Sequence, residues 1–332
     1  MALDDFRPPF WLANSHVQSI AGSLPRLGGP APAADPLRID LPEGGALLAR
    51  ASWVDASPRA TVLLVHGVGG SSDSRYMARS ARDCVANGLH AVRLNLRGAG
   101  DGADHGRSLY HAGLTGDIER AVLELAADAR VESLFLLGFS LGGSALLKLA
   151  GEWGSAWPAA VRALASFSAP TQLDAVSRAL ERPAAVPYRR YILRALVAQA
   201  IAFGRRDSHD LPFDPSELGR AQTIRDYDRL VIVPMHGFRD VRHYYESASS
   251  GPFLPRIRLP TMILHAEDDP IVPSTTVVPS VRGLGPSLAV AWTARGGHVG
   301  WHTTLRESAP TWAMARALRF FDDHRAGRSF LP

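Results

Sequence analysis

The stretch LLGFSLGGSALLKLA, residues 136–150, sets an apolar run against a glycine-flanked serine and returns at once to apolar residues. Its first half reads as a strand covered on both faces and its second half as a helix, so the chain must turn between them at Ser140. A strand that passes directly into a helix forces the serine backbone into a strained conformation, and residues two positions to either side must be small to let the chain through. Gly138 and Gly142 supply that room and complete the pattern G-x-S-x-G. The Ser140 hydroxyl then projects above the sheet, where the N-terminus of the following helix faces an approaching carbonyl. Five letters are a weak signal alone, because Gly and Ser are common. Their position in a series of strands gives them weight.

That series runs PLRIDLP, ALLARASWV, ATVLLVHG, HAVRLNLRG, SLFLLGFS, AVRALASFS, TMILHAEDD and LAVAWTARGG. The middle runs are nearly all apolar, as in a largely parallel sheet with helices on both faces, and the fold class is α/β. The first two are separated only by a turn around Glu43-Gly44-Gly45, so they pair antiparallel. LTGDIERAVLELAADAR predicts a helix from near Thr115 with Asp117 and Glu119 in its first turn, and SALLKLAGEWG predicts one after the serine. From 171 to 256 the strand rhythm stops. That segment predicts a helical cap inserted between strands 6 and 7, with 1–170 and 257–332 forming the core.

A serine hydroxyl needs a base to take its proton and a third group to orient that base, in the chain order Ser, acid, His. His298 follows Gly296-Gly297 on a loop directly beyond the eighth strand, at the edge where Ser140 lies, and is the candidate base. His302 is the fallback, expected within the next helix, and His265, inside strand seven, is expected to be a core residue. For the acid, Asp268 and Asp269 compete. The spacing from Ala266 and the Pro270-Ile271-Val272 run that follows favour Asp269, which leaves Asp268 a turn or capping role. An oxyanion also needs two backbone donors, for which the N–H groups of Leu141 and of Val68, in His66-Gly67-Val68-Gly69-Gly70, are the candidates. His66 reads as a residue that orders this loop. A nucleotide loop is the rival reading there, but the last glycine of G-x-G-x-x-G and the lysine of a P-loop are both missing.

The bulk numbers narrow the remaining classes. At 332 residues, 46% hydrophobic and 20% charged, the chain is a globular protein rather than a disordered one. Its net charge of +4 comes almost wholly from arginines spread along the chain, with Lys148 the only lysine, so no nucleic-acid footprint is indicated. No run is long enough to span a membrane, the first residues lack the features of a signal peptide, and a cytoplasmic location is expected. The single cysteine, Cys84, reads as a packing residue of a helix.

With those residues in place, the sequence resembles the α/β-hydrolases, and more narrowly their YheT-like branch. The narrower resemblance rests on RPPFWLANSHVQS, LNLRGAGDG, YRRYILRAL, TIRDYDRLVIVPMHGFRDVRHYYESAS, ILHAEDDPIVP and GGHVGW, which together span about residues 6 to 325. It implies an eight-stranded α/β-hydrolase fold and a serine hydrolase acting on carboxylic esters, with Ser140 as nucleophile, Asp269 as acid, His298 as base and no metal or organic cofactor. The implied partner is a small-molecule ester, with hydrophobic, lipid-like acyl groups favoured by the apolar cap stretch YRRYILRALVAQAIAF. There Tyr188, Tyr191, Ile192 and Leu196 share one helical face, and Leu193, Val197 and Ile201 widen it. Two alternatives remain open: an acyltransferase using the same acyl-enzyme, and a ligand-binding protein that keeps the fold without catalysis. His209 and Asp214 match an H-x-x-x-x-D acyltransferase pattern, read here as chance. Tyr244 and Tyr245 are expected to hold the cap.

Overall fold

A computed structural model describes residues 6–22, 30–206, 211–304 and 310–326. All eight predicted strands form: β1 Asp35–Asp40, β2 Ala46–Ser52, β3 Arg59–Val65, β4 His90–Leu94, β5 Val131–Phe139, β6 Val161–Phe167, β7 Thr261–Ala266 and β8 Leu288–Thr293. They build one sheet in the order β1-β2-β4-β3-β5-β6-β7-β8. β1 and β2 pair antiparallel, as do β2 and β4, and every pair from β4 onward is parallel. Gly44 and Gly45 take φ of 91° and 79° in the β1–β2 turn, a region closed to most other residues. The β3-to-β4 crossing and the adjacency of β3 and β5 are those expected of an α/β-hydrolase.

Helices α1 Ser15–Ala21, α2 Arg75–Ala86, α3 Thr115–Ala127, α4 Leu141–Trp153 and α11 Trp312–Arg325 accompany the sheet, and α10 Val278–Val281 precedes β8. Two apolar clusters divide between the faces. Ile118, Val122 and Leu146 belong to one, while Met77, Cys84, Met314 and Phe321 belong to the other. Cys84 is fully buried, and burial pushes its thiol well above the usual range. Between β6 and β7 the described residues contain helices and no strand: α5 Leu173–Leu180, α6 Val186–Arg206, α7 Ile224–Tyr227, α8 Val233–His236 and α9 Val241–Ala248. A π-helical turn, Asp228–Ile232, joins α7 to α8. His209 lies outside the described residues, and Asp214 caps a short 3₁₀ turn by accepting the Ser216 N–H, a local structural role.

The N-terminus of α3 falls where expected, at Thr115 with Asp117 in the first turn, and the aspartate has a further partner. Asp117 is buried against Arg97 of the β4 loop, which donates Nε–H to Asp117 Oδ2 at 2.9 Å and also binds Asp117 Oδ1 and Glu43 of the β1–β2 turn. The aspartate therefore neutralises a buried guanidinium instead of simply facing the helix dipole. Arg97 O in turn accepts the Tyr110 N–H at 2.9 Å, so the pair also fixes the strand-edge loop that carries Tyr110. Asp117→Ala would leave that guanidinium buried with only Glu43 as a counter-ion. We expect a loss of about 3–5 kcal/mol in urea unfolding; a loss below about 1 kcal/mol would show that water or Glu43 compensates.

Candidate active site

Ser140 sits between β5 and α4 with φ 51° and ψ −119°, the strain expected at a strand-to-helix turn. The glycines around it are there for space. A Cβ on Gly142 would lie 2.4 Å from His66 O, and one on Gly138 would lie 2.6 Å from the Gly143 backbone. Ser140 N–H donates to Phe167 O at 2.8 Å, which ties the turn to the end of β6. The residue is almost buried, at 8% exposure, and opens into a cavity.

Loop 66–70 runs beside it, with Gly67 so close that a Cβ there would stand 3.1 Å from Ser140 Cβ. Two tyrosines occupy the backbone donors on either side of Val68. Tyr76 Oη accepts the Gly67 N–H at 2.9 Å, and Tyr110 Oη accepts the Gly69 N–H at 2.6 Å. Val68 N–H has no hydrogen-bond partner among the described residues, and Leu141 N–H, in the first turn of α4, has no acceptor within its helix. His66 orders the loop, as expected. Its Nε2 accepts the Leu96 N–H at 3.1 Å, so Nδ1 carries the proton and donates to Gly67 O at 2.7 Å. Burial lowers its pKa to about 4, keeping the ring neutral.

Asp269 and His298 are brought together. His298 Nδ1 lies 2.8 Å from Asp269 Oδ2, and Asp269 Oδ1 accepts the Ile271 and Val272 N–H groups at 2.9 Å each. With its side chain fully buried and both oxygens engaged, this carboxylate is fixed as the ring's partner. Asp268 points elsewhere: its Oδ1 accepts the Gly297 N–H at 2.8 Å, so it shapes the histidine loop from below. His265 is a core residue, as predicted, its Nε2 at 2.9 Å from Val272 O. His302 corrects an expectation, because it lies in irregular chain well before α11 rather than in a helix. It is buried beside Arg79, with Nδ1 3.2 Å from Arg79 Nη1, and burial with that cation lowers its pKa to about 4.

Ser140 and His298 occupy the same sheet edge through β6. Ser168, one residue after the acceptor of Ser140 N–H, takes the Val299 N–H on its Oγ at 3.1 Å. No Ser140–His298 hydrogen bond forms among the described residues; such bonds are often long until substrate is bound. The histidine loop is strained, with positive φ at Gly296, Gly297, Val299 and Trp301.

Helix α1 is the part of the site that sequence reasoning missed. Ser19 Oγ accepts the His298 N–H at 2.8 Å and donates to Ser15 O at 2.7 Å. Gln18, fully buried, donates to Leu12 O and His302 O and accepts the His302 N–H. Gly297 must lack a side chain because a Cβ would fall 2.4 Å from Ser15 O. His16 Nδ1 shares a 2.6 Å hydrogen bond with Tyr188 Oη of α6, and their rings stack, so α1 bridges the histidine loop and the cap helix. SHVQS stands in the opening stretch that carries the family resemblance, but its partners lie some 280 positions away.

The cavity has an apolar lining shared between the sheet edge, at Val68, Leu141 and Ile271, and the helices between β6 and β7, at Leu180, Ile192 and Leu196. Its empty volume is about 730 Å³ with the mouth included. On α6 the predicted stripe divides, since Ile192 and Leu196 enter the cavity while Tyr191 stands 72% exposed. The HGF and YY residues pack around the 109–112 loop. His236 Nε2 meets Leu109 O at 2.8 Å, Tyr244 Oη accepts the Ala112 N–H at 3.1 Å, and His236, Phe238 and Tyr244 surround the His111 ring. Tyr245 Oη instead donates to Asp228 Oδ2 at 2.6 Å, with Ser177 Oγ 3.2 Å away. Asp228 is the single carboxylate lining the cavity, and burial pushes its pKa up to about 7. Among the described residues no group of three or more His, Cys, Asp or Glu is gathered in metal-binding proximity.

Two expectations come from this geometry. Ser19→Ala removes the acceptor of His298 N–H, so kcat on a soluble ester should fall about tenfold with KM nearly unchanged; unchanged kcat would mean that Gln18 and Asp268 suffice to place the loop. Asp228 binds its proton more tightly folded than unfolded, where its value is near 3.8. Its stabilising contribution is therefore complete below about pH 4 and lost as pH rises through 7, at about 1.4 kcal/mol per unit. Unfolding measured from pH 4 to 8 should show wild type losing stability relative to Asp228→Asn; parallel curves would mean the carboxyl titrates alike in both states.

Comparison with known proteins places this geometry in context. Residues 56–308 match the Hydrolase_4 family, described as serine aminopeptidase, S33. YheT of Escherichia coli is 30% identical over 89% of this chain and 86% of its own length. The monoacylglycerol lipase of Saccharomyces cerevisiae is 28% identical over 84% of this chain, and the phospholipase ABHD3 of Mus musculus 31% over 75%. The chain spans only 62% and 60% of those two proteins. Among solved structures, the 2,6-dihydroxy-pseudo-oxynicotine hydrolase aligns with a TM-score of 0.61 at 17% identity, covering 90% of this chain and 70% of that one. Est1E of Butyrivibrio proteoclasticus aligns at 0.58 and 16%, covering 88% and 99%. At such identities these two structures establish the fold alone.

Proposed function

The chain belongs to the Hydrolase_4 family as a YheT-like α/β-hydrolase of the esterase and lipase type, and from that premise we propose that it cleaves carboxylic esters of hydrophobic acids through Ser140, His298 and Asp269. The observation that carries the reading is the 2.8 Å Asp269–His298 pair standing at the same sheet edge as a strained, cavity-facing serine. Ser140 Oγ attacks the ester carbonyl as His298 Nε2 takes its proton, forming the C–O bond of a tetrahedral intermediate. Asp269 fixes the Nδ1–H tautomer and stabilises the imidazolium. The N–H groups of Val68 and Leu141, which have no other acceptor, receive the oxyanion. Collapse expels the alcohol, protonated by His298, and leaves an acyl-serine. Water then adds to the acyl carbonyl with His298 as base, releasing the acid and restoring Ser140.

The apolar cavity supports a hydrophobic acyl group, and the lipase and phospholipase names among the relatives support the same class. A second reading follows from the family description and from Asp228. A lone carboxylate in an apolar cavity is a partner for an ammonium group, so hydrolysis beside a free amino terminus is the competing chemistry.

The deciding measurement is fluorophosphonate labelling of wild type and Ser140→Ala, together with turnover of p-nitrophenyl esters of increasing acyl length and of aminoacyl p-nitroanilides. Wild type should label and prefer esters, and Ser140→Ala should lose labelling and at least about 1000-fold in kcat. Retained turnover in the mutant would overturn the assignment, while faster cleavage of the anilides would favour the amino-terminal reading.

A further inference from the structure

Five of the six large apolar side chains that stand exposed on the described residues lie on two adjoining elements. They are Phe10 at 92%, Trp11, Val17 and Ile20 on the N-terminal turn and α1, and Tyr191 on α6. The elements are joined by the stacked, hydrogen-bonded His16–Tyr188 pair. Val17 and Ile20 are one turn apart on the solvent side of α1, whose other side buries Gln18 and Ala21. Tyr191 lies three residues from Tyr188 and shares its side of α6.

The two segments that carry these side chains hold charged residues of one sign. Residues 6–22 and 186–206 contain no aspartate or glutamate, while Arg190 and Arg194 are exposed on α6 beside Tyr191. A protein partner recognising an arginine-flanked face would offer carboxylates at fixed points. Exposed apolar side chains beside exposed cations instead suit a fluid anionic layer, into which the apolar groups insert while guanidinium groups meet the headgroups. The position adds to this, because the face adjoins the site. Ser19 of α1 holds the His298 loop, and the adjoining side of α6, at Ile192 and Leu196, lines the cavity.

We propose that the Phe10–Ile20 segment and the Tyr191 side of α6 form one docking surface for an anionic lipid layer, which sets the cavity against the membrane–water interface without any spanning helix. The surface goes beyond the esterase reading and does not depend on it. Among the described residues no helix is long and apolar enough to cross a membrane, so contact here is peripheral.

Flotation of the full chain with vesicles of phosphatidylcholine alone and with 30 mol% (about a third) phosphatidylglycerol tests the binding without any turnover. Expected is binding to the anionic vesicles at least about tenfold tighter, weakened by salt. Two variants, Phe10→Ser/Trp11→Ser/Ile20→Gln and Arg190→Gln/Arg194→Gln, should each lose it, with circular dichroism and hydrolysis of a soluble p-nitrophenyl ester unchanged. Equal binding of the variants, or none by wild type, would overturn the proposal. So would a concentration-dependent dimer in sedimentation that the apolar variant abolishes, since a second copy would then be the occupant. Failure of the soluble ester assay in every protein, with flotation intact, would fall on the hydrolase reading alone.

Discussion

Close approach of α4 to the ends of β3 and β5 is the constraint on which the site depends. Gly142 packs against the carbonyls of Val65 and His66, and Gly138 against Gly143, at separations that no Cβ would permit. That contact forces the backbone between strand and helix through Ser140 at positive φ, at a cost of about 1–3 kcal/mol. The cost is met nearby, because α4 is buried from Gly142 to Gly151. Leu146, Leu147 and Leu149 each contribute about 1.5–3 kcal/mol by leaving water. Ser140 is therefore presented by a buried, closely packed junction, and loop 66–70 is laid against it by the same contact.

The histidine side is supported differently. Its loop leaves β8 through Gly296 and Gly297 and carries Val299, a β-branched residue, at φ 56°. The sheet supplies only part of what holds it, through Ser168, Asp268 and the Asp269 pair. The remainder comes from α1, with Ser19 on the His298 backbone and Gln18 on His302. Ser140 is thus fixed by local packing near the middle of the chain, while His298 is fixed in part by a helix near the other end of the sequence. The arrangement at the edge is complete only with α1 in place.

This difference explains what could be read from the sequence. The inner strands β3 to β7 and the serine turn were legible because strands buried on both faces write continuous apolar runs, and because the turn needs glycine at two set positions. Asp269 and His298 were legible as candidates because each follows a strand at the edge where Ser140 lies. Ser19, Gln18, Tyr76 and Tyr110 left no such mark. Each works through side-chain hydrogen bonds to loop backbone, and a lone Ser, Gln or Tyr in a helical or loop stretch carries no periodicity that points to its partner. Asp117 stands in the first turn of α3 as read, but its ion pair left no mark for a related reason. An acid in the first turn of a helix is already accounted for by the dipole, and only three dimensions bring the Arg97 guanidinium onto it. His302 was placed in a helix because Gly and Trp around it give no stop signal, yet its chain is held open by Gln18.

Helix α1 also changes what the cavity can do. A cap that touched the core only through the His236, Phe238 and Tyr244 cluster would adjust the cavity without reference to His298. Here α6, which puts Ile192 and Leu196 into the cavity, also bonds His16 through Tyr188, three residues before the serine that holds His298. Ser19 is within hydrogen-bonding reach of Tyr188 as well, and the phenol feels the charge of Asp269. The cavity-lining helix α6 and the His298 loop are therefore both tied to α1, through Tyr188–His16 and Ser19–His298. The wall of the cavity and the position of His298 share one support, a seven-residue helix that meets α6 at a single tyrosine.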